Sequence, residues 1–534
     1  MGSAPETALV REGRLVLVSN RLPVTITKDP ETGEYTFTKS SGGLVSGLQG
    51  LLKTKKFAWY GWAGLEVPED QIQPLSDRLR EEHAAYPVWI SNELSDKHYN
   101  GFSNEVLWPL FHYHPGESTF DESIWTAYQQ VNQLFAERLI QELETGDVVW
   151  IHDYHLMLLP AMLRNLAVFK KVDVKIGWFL HTPWPSSEVY RVLPCRSQLL
   201  EGVLAGDLVG FHTYDYLQHF LSTACHLLSA TAAPRSLVVN DRITAVGAFP
   251  IGIDPDRFAE HRESKETQDL IKHYRDRFRD SMLIIGCDRL DYIKGVPHKL
   301  HAFQYLLESH PELIGKVQLV QIAIPSRADL DEYKILKKSV NELAGAINAQ
   351  FGKMDFNPVH LKHTTVPSSE LTALFSISDV CLVSSTRDGM NLVAYEYVAC
   401  QAERHGVLVL SEFAGCAQSF ASGAVICNPW DIEELADSLH EAVTMPEEEK
   451  LRRHENLWNY VHKYTSAWWG ETFIDRLKAT TQEPVEVEEA SMQDLNRKIV
   501  TEALEAEDKH IGKKRLTAKA VTFDEKSPKT TARL

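Results

Sequence analysis

The chain has 534 residues, with 55 Lys plus Arg against 73 Asp plus Glu for a formal net charge of −18, and 44% of it is hydrophobic. A chain this long holds roughly two to four domains, each able to bury its own core, which excludes disorder throughout. The acidic balance repels phosphate backbones and so excludes a general binder of nucleic acid or anionic membrane, although a pocket with a few cations of its own can still take a small anion.

The start, MGSAPETALVREGRLVLVSNR, meets Glu6, Arg11 and Glu12 before any apolar run of leader length, and no later run reaches the length of a membrane span. Neither end carries a lipidation signal. The seven cysteines are widely spaced without a CxxC pair and read as reduced, buried thiols. A cytoplasmic protein with no membrane attachment is expected.

Apolar runs at Leu15 to Val18, Val148 to Ile151, Ile176 to Leu180 and Leu208 to Phe211 predict strands in the first half. Met282 to Ile285, Val317 to Ile324, Val380 to Val383 and Val407 to Leu410 predict strands in the second. Continuous Val/Ile/Leu runs mean strands buried on both faces, hence an α/β fold with parallel sheets covered by helices. The segment AVGAFPIGIDPDRF, residues 245 to 258, reads as a hinge between two doubly wound domains. Such sheets bind ligands at the carboxyl ends of their strands. Leu457, Val461, Tyr464, Trp468, Phe473 and Leu477 fall at helical intervals and predict a packing face. Beyond residue 480 the chain carries charge blocks with ten Lys or Arg and eleven Asp or Glu, so nearly all the net acidity belongs to the body. That tail is expected to be disordered, with one short helix around Asp494 to Ala506.

Several strand ends carry candidate chemistry. Ser19, Asn20 and Arg21 follow the first strand, and the Gly pair ending at Gly43 precedes an apolar helix face. Such a pair brings backbone N–H groups close to a phosphate or sugar, and serves equally as a tight turn before a core helix. It matches neither GxxxxGK[ST] nor GxGxxG, so triphosphatase and dinucleotide readings lose their support. Asn92 to Tyr113 sets Tyr99, Trp108 and Tyr113 among polar residues without strand or long-helix periodicity, as either a carbohydrate-binding loop or a buried aromatic one. His152, Asp153 and His155 follow VVWI, and His181 follows IGWFL. These side chains suit hydrogen bonding to a hydroxyl-rich substrate better than a metal, because no HExxH frame is present.

In the second half, LIIGCDRLDYIKG places Arg289 and Lys294 after a strand, where two cations can clamp a diphosphate. QIAIPSR puts Arg327 at another strand end. VCLVSSTRDGMNLVAYEYVAC gives a strand, a turn with Asp388 and Gly389, and a helix beginning near Met390 or Asn391. The free N–H groups of that helix would face a phosphate, with Asp388 and Glu396 offering acceptors to sugar hydroxyls.

With these segments, together with SGGLVSGL, YNGFSNEVLWPLFHY and FLHTPWPSSEVYRVLP, the sequence resembles the trehalose-6-phosphate synthases, glycosyltransferase family 20, from about Leu15 to Leu477. The resemblance implies a GT-B fold, two Rossmann-like domains facing a central cleft. It also implies retaining transfer of glucose from UDP-glucose to glucose 6-phosphate, yielding α,α-trehalose 6-phosphate and UDP in a stress-response pathway. It assigns Arg289 and Lys294 to the donor diphosphate with Met390, Asn391, Leu392 and Val393, and Glu396 to the ribose. Asp388, Gly389, His181 and Gly43 go to the transferred glucose. Arg21, Tyr99 and Arg327 go to the acceptor phosphate, and Trp59, Trp108 and Asp153 to the acceptor sugar pocket. Arg289, Lys294, Asp153 and His181 form the catalytic group, with no metal and no other cofactor. Implied partners are a homo-oligomer or a complex with a trehalose-6-phosphate phosphatase subunit.

The expected organisation is an extension at 1–13, an acceptor domain at 14–248, a nucleotide-sugar domain at 249–455, a helix at 456–480 returning toward the first domain, and the tail at 481–534. Three rival readings remain. Asp254-Pro-Asp256-Arg-Phe258 superficially resembles a phosphatase DxDx[TV] motif, with Phe258 where Thr or Val is required. A noncatalytic sugar-phosphate-binding regulatory subunit conflicts with the intact residue set, and a two-domain dehydrogenase lacks a dinucleotide fingerprint.

Overall fold

The computed structural model describes residues 13–40, 43–53, 55–116, 120–326 and 331–481. Strand β1 (Leu15–Arg21) is followed by a hairpin of β2 (Val24–Lys28) and β3 (Tyr35–Lys39), then β4 (Phe57–Trp62) and β5 (Ala85–Val88). The first half continues with β6 (Val148–His152), β7 (Lys175–Phe179), β8 (Leu208–Phe211), β9 (Thr231–Ala233), β10 (Ser236–Val239) and β11 (Arg242–Ala248). The second half contributes β12 (Met282–Arg289), β13 (Val317–Ile324), β14 (Val359–Lys362), β15 (Val380–Val383), β16 (Val407–Ser411) and β17 (Val425–Cys427).

Two sheets result. The first runs β5-β4-β1-β6-β7-β8-β11-β10-β9 and the second β14-β13-β12-β15-β16-β17. The second is wholly parallel, and the first is parallel as far as β11, with β10 and β9 added antiparallel. In both, the first strand sits in the interior and the order reverses beside it, between β1 and β6 and between β12 and β15. A doubly wound sheet opens a crevice at each such reversal. All five residues of β6, Val148 to His152, are buried, as a strand covered by helices on both faces requires.

All the predicted strands form, but other elements differ from expectation. Asn92 to Tyr113 is not a loop: a short helix, Asn92–Asp96, leads into a π-helix at Lys97–Leu107 and then a turn at Trp108–Phe111. The wider π-helical turn breaks the 3.6-residue spacing, so the apolar pattern does not advertise a helix. The hinge segment is ordered, with β11 reaching Ala248 and a helix starting at Pro255. Asp254 precedes that proline and pairs with Lys53 at 2.6 Å, a helix start instead of a nucleophile motif.

The stripe from Leu457 to Leu477 is two helices, Glu447–Lys463 and Ser466–Lys478, broken at Tyr464 and Thr465. The first stays with the second sheet, where the Tyr460 hydroxyl donates to Ser419 Oγ at 2.8 Å. The second crosses to the first sheet, so the return begins after Lys463 and not at residue 456. There Phe473 stacks on Trp150 at 4.5 Å between ring centroids. A Cβ on Gly177 or Gly210 would approach the Phe473 ring to 2.8 or 2.7 Å, so these two glycines let the helix seat against the strands. The seven cysteines are free, six of them buried. The expected tail helix, residues 1–12 of the N-terminal extension and Arg327 lie outside the described residues.

Candidate active site

A cavity of about 630 Å³ opens between the two halves at the carboxyl ends of both sheets. Its wall takes Asp153, His181 and His212 from the ends of β6, β7 and β8, and Asp288, Arg289 and Lys294 from the end of β12 and the turn after it. Asp388 to Val393 and Glu396 come from the loop after β15 and the helix that follows it. Gly43, Tyr99 and Trp108 complete the first-half side. The volume suits a small organic ligand of the size of a nucleotide sugar.

The loop after β15 is held by its own hydrogen bonds. Asp388 Oδ2 accepts from Lys294 Nζ at 2.5 Å, from Asn391 Nδ2 at 3.0 Å and from Ser385 Oγ at 3.2 Å. Burial raises the Asp388 carboxyl, but the Lys294 charge and hydrogen bond outweigh it and leave the group below its ordinary range. Asn391, at φ 73°, is the N-cap of the helix Leu392–Cys400, and its side chain accepts from Ala394 N at 3.3 Å. The N–H groups of Leu392 and Val393, without intrahelical partners at this end, lie at the cavity wall. Two cations and a helix N-terminus therefore border one compartment, an arrangement that stabilises an anion. Arg289 also lies over the Trp108 ring at 5.6 Å.

Behind Arg289, the fully buried Lys299 pairs with Asp288 at 2.7 Å, and Gln321 Nε2 donates to the same carboxylate at 3.0 Å. This triad braces the end of β12. The sequence reading missed it because Lys299 sits on a helix where a charged residue ordinarily faces solvent. His112 is a second missed cavity residue. Its ring contacts Trp108 at 4.1 Å and its Nδ1 is 2.7 Å from the Trp108 carbonyl, while burial lowers its pKa to about 4. The i, i+4 spacing of Trp108 and His112 was the available signal.

On the first-half side Asp153 adopts φ 75°, an unusual backbone for a residue with a side chain. Its N–H donates to the Phe179 carbonyl at 2.7 Å and its Oδ1 accepts the His181 N–H at 3.2 Å. Burial pushes its pKa up to about 6, opposed by the N–H groups of His181 and Tyr154 and by Arg289. His152 Nδ1 is 3.2 Å from His181 Nε2, and burial keeps both rings neutral at physiological pH. Tyr99 stacks on His155 at 5.6 Å.

Arg21 is not on the cavity wall but lies beside it, with its guanidinium 4.7 Å from the Trp62 ring and 5.7 Å from Tyr99. Trp59 is not a wall residue either: it is 1% exposed, and its indole N–H donates to Ser19 Oγ at 2.8 Å. Alternation along β4 puts Trp59 in the core, and Trp62 is the aromatic that meets Arg21. Among the described residues, the one group of His and carboxylate donors close enough to share an ion is His310, Glu312 and His440, and none of these lines the cavity.

Residues 13–479 match the model of glycosyltransferase family 20. An α,α-trehalose-phosphate synthase [UDP-forming] of Botryotinia fuckeliana is 57% identical over 469 residues, covering 88% of this chain and 89% of the relative. The 56 kDa subunit of the Saccharomyces cerevisiae synthase is 53% identical over 470 residues, covering 88% and 95%. A Burkholderia xenovorans α,α-trehalose-phosphate synthase solved in complex with glucose 6-phosphate superposes with a TM-score of 0.78 at 34% identity, covering 88% of this chain and 100% of that one. An E. coli structure bound with UDP-2-fluoro glucose gives a TM-score of 0.78 at 35% identity, with the same coverage.

Proposed function

The chain belongs to glycosyltransferase family 20, and from that premise we propose how its cleft carries out the reaction of a UDP-forming α,α-trehalose-phosphate synthase. The enzyme transfers glucose from UDP-glucose to glucose 6-phosphate, giving α,α-trehalose 6-phosphate and UDP. The observation that carries the reading is the convergence of Arg289, Lys294 and the Leu392–Cys400 helix start on one cavity.

Breaking the bond between the anomeric carbon and the diphosphate places growing negative charge on UDP. Arg289, Lys294 and the N–H groups of Leu392 and Val393 neutralise it from fixed positions, so no reorganisation accompanies bond cleavage. These residues supply that charge without a metal ion or other cofactor. Glu396 takes the ribose hydroxyls. Asp388, Gly389, His181 and Gly43 hold the transferred glucose. Retention through a covalent intermediate would require a free carboxylate at the anomeric carbon. Asp388 is instead held in place through its Oδ2 by Lys294, Asn391 and Ser385, and we propose a front-face displacement in which a leaving phosphate oxygen receives the acceptor proton. Asp153 then orients the acceptor hydroxyl. Arg21, Tyr99 and Arg327 bind the 6-phosphate, and Trp108 borders the acceptor sugar. Closure of the halves excludes the water that would hydrolyse the donor.

No helix among the described residues is long and apolar enough to cross a membrane. Seven free cysteines, six of them buried, support a cytoplasmic location. The Saccharomyces cerevisiae relative is named a subunit, which supports a multi-subunit assembly, and we propose a trehalose-6-phosphate phosphatase as the further subunit. A UDP-release assay tests the function: release from UDP-glucose should require glucose 6-phosphate. Release without acceptor would make the protein a hydrolase, and none in either case an idle binder.

A further inference from the structure

The loop that carries Asp388 is gripped from its far side as well. The Asp388 N–H donates to the Phe413 carbonyl at 3.1 Å, and the Asp388 carbonyl accepts from the Gly415 N–H at 3.1 Å. Both partners belong to the second half. The same carbonyl also accepts the Tyr216 hydroxyl at 2.8 Å, across 172 residues of sequence and from the first half. Tyr216 lies in the first turn of the helix Tyr214–Leu228, and the Thr213 side chain accepts its N–H at 3.2 Å, which fixes where the ring emerges. Burial, reinforced by the Asp388 charge, pushes the phenol far above its ordinary range, so the hydroxyl stays protonated and can donate.

Two neighbours of Asp388 also reach across. The Arg387 guanidinium lies 4.3 Å from the Tyr113 ring of the first half and 5.2 Å from Phe413 of the second. Tyr113 is itself anchored, its hydroxyl accepting the Ser186 N–H at 2.8 Å. Gly389 meets the first half so closely that a Cβ would stand 1.9 Å from the His181 carbonyl oxygen.

We propose that Tyr216 is a positioning residue for glucosyl transfer, fixing the Asp388 peptide through its hydroxyl so that the donor-sugar loop takes its working shape when the two halves are together. This rests on the functional reading above. Tyr216 is not on the wall of the active-site cavity. It acts on the sugar through the main chain of Asp388, and it ties the closure of the cleft to the placement of the donor. An open cleft would lose this bond and leave the Asp388 carbonyl to the Gly415 N–H alone, so that the donor is gripped best where water is excluded.

The test is Tyr216→Phe in the full chain, which removes one donor and keeps the ring. The expected result is a rise of about fivefold in KM for UDP-glucose, from loss of one neutral hydrogen bond. KM for glucose 6-phosphate and the thermal midpoint should be unchanged, and a larger share of UDP should be released by water instead of acceptor. Unchanged donor KM and hydrolysis share would overturn the proposal, as would a fall in kcat alone or equal rises in both KM values. Titration of UDP-glucose into both proteins by calorimetry, without acceptor, keeps the test separate from the functional reading. If the wild type ignores glucose 6-phosphate, that reading fails, while weaker donor binding by the variant would still support the role of Tyr216 and equal binding would overturn it.

Discussion

Lys294 holds its ammonium group 2.5 Å from the Asp388 carboxylate, and each side chain keeps 12% of its surface exposed. The cleft thus neutralises one of its own carboxylates with one of its own cations, and under the proposed function the donor diphosphate shares a cation already in use. Breaking one partner of a buried pair costs more than the pair contributes, because the remaining charge is stranded.

Lys294→Met should therefore destabilise the fold by about 3 kcal/mol as well as abolish donor binding. The double variant Lys294→Met with Asp388→Asn should recover most of the stability and none of the activity. Urea unfolding and UDP titration measure the two effects. Loss of activity with unchanged stability in the single variant would mean the pair is not formed in solution.

Glu396 supplies a pH signature. Burial raises its pKa to about 7, while Arg257 opposes the shift. The folded state therefore holds its proton more tightly than the unfolded chain, so stability falls as pH rises from the ordinary carboxylate value toward 7. Glu396→Gln should stabilise the protein by up to about 3 kcal/mol at pH 8, relative to wild type, and by nothing near pH 4.5. The ionised carboxylate is the better acceptor for ribose hydroxyls, so kcat/KM for UDP-glucose should rise through pH 7 in wild type and lose that step in the variant. Unfolding curves at the two pH values and a pH profile check both signs.

Phe473 fastens the returning helix to the first sheet. Phe473→Ala should cost about 3 to 5 kcal/mol, as for other buried aromatic truncations. Gly177→Ala should also destabilise, because its Cβ meets Leu477 as well as Phe473 at 2.8 Å. Thermal unfolding with and without UDP measures the losses, and a tolerated Gly177→Ala would show that the helix is not pressed against β7.

The strands legible in the sequence were those with Val, Ile and Leu on both faces, such as β6 and β13. β4, FAWYGW, and β5, AYPV, were hidden by Gly61 and Pro87, residues that ordinarily argue against a strand. Pro87 is tolerated because β5 stands at the edge of its sheet. The donor half of the site was readable because its cations and helix start lie within short segments after β12 and β15. The acceptor half was less so. Whether Trp59 or Trp62 faces Arg21 depends on strand parity, and Tyr99 owes its position to a π-helical turn that leaves no regular period. Tyr216 sits in an ordinary amphipathic helix, and only tertiary structure brings it to Asp388.

Arg21→Ala and Arg327→Ala should each weaken glucose 6-phosphate binding by about 1.5 to 3 kcal/mol and leave UDP binding nearly unchanged. Arg21 rests on Trp62, so Trp62→Ala should weaken the same ligand to a smaller degree by freeing the guanidinium. Calorimetric titration of each ligand separates the cases, and equal weakening of both would remove these arginines from the acceptor site.

The most direct test of the account is NMR analysis of the product made by the purified protein from UDP-glucose and glucose 6-phosphate in excess EDTA. The account predicts a non-reducing disaccharide phosphate with both anomeric carbons in α,α linkage, formed one for one with UDP and undiminished by the chelator. Free glucose with UDP, a product of another linkage, or turnover that stops in EDTA and returns with magnesium would contradict it.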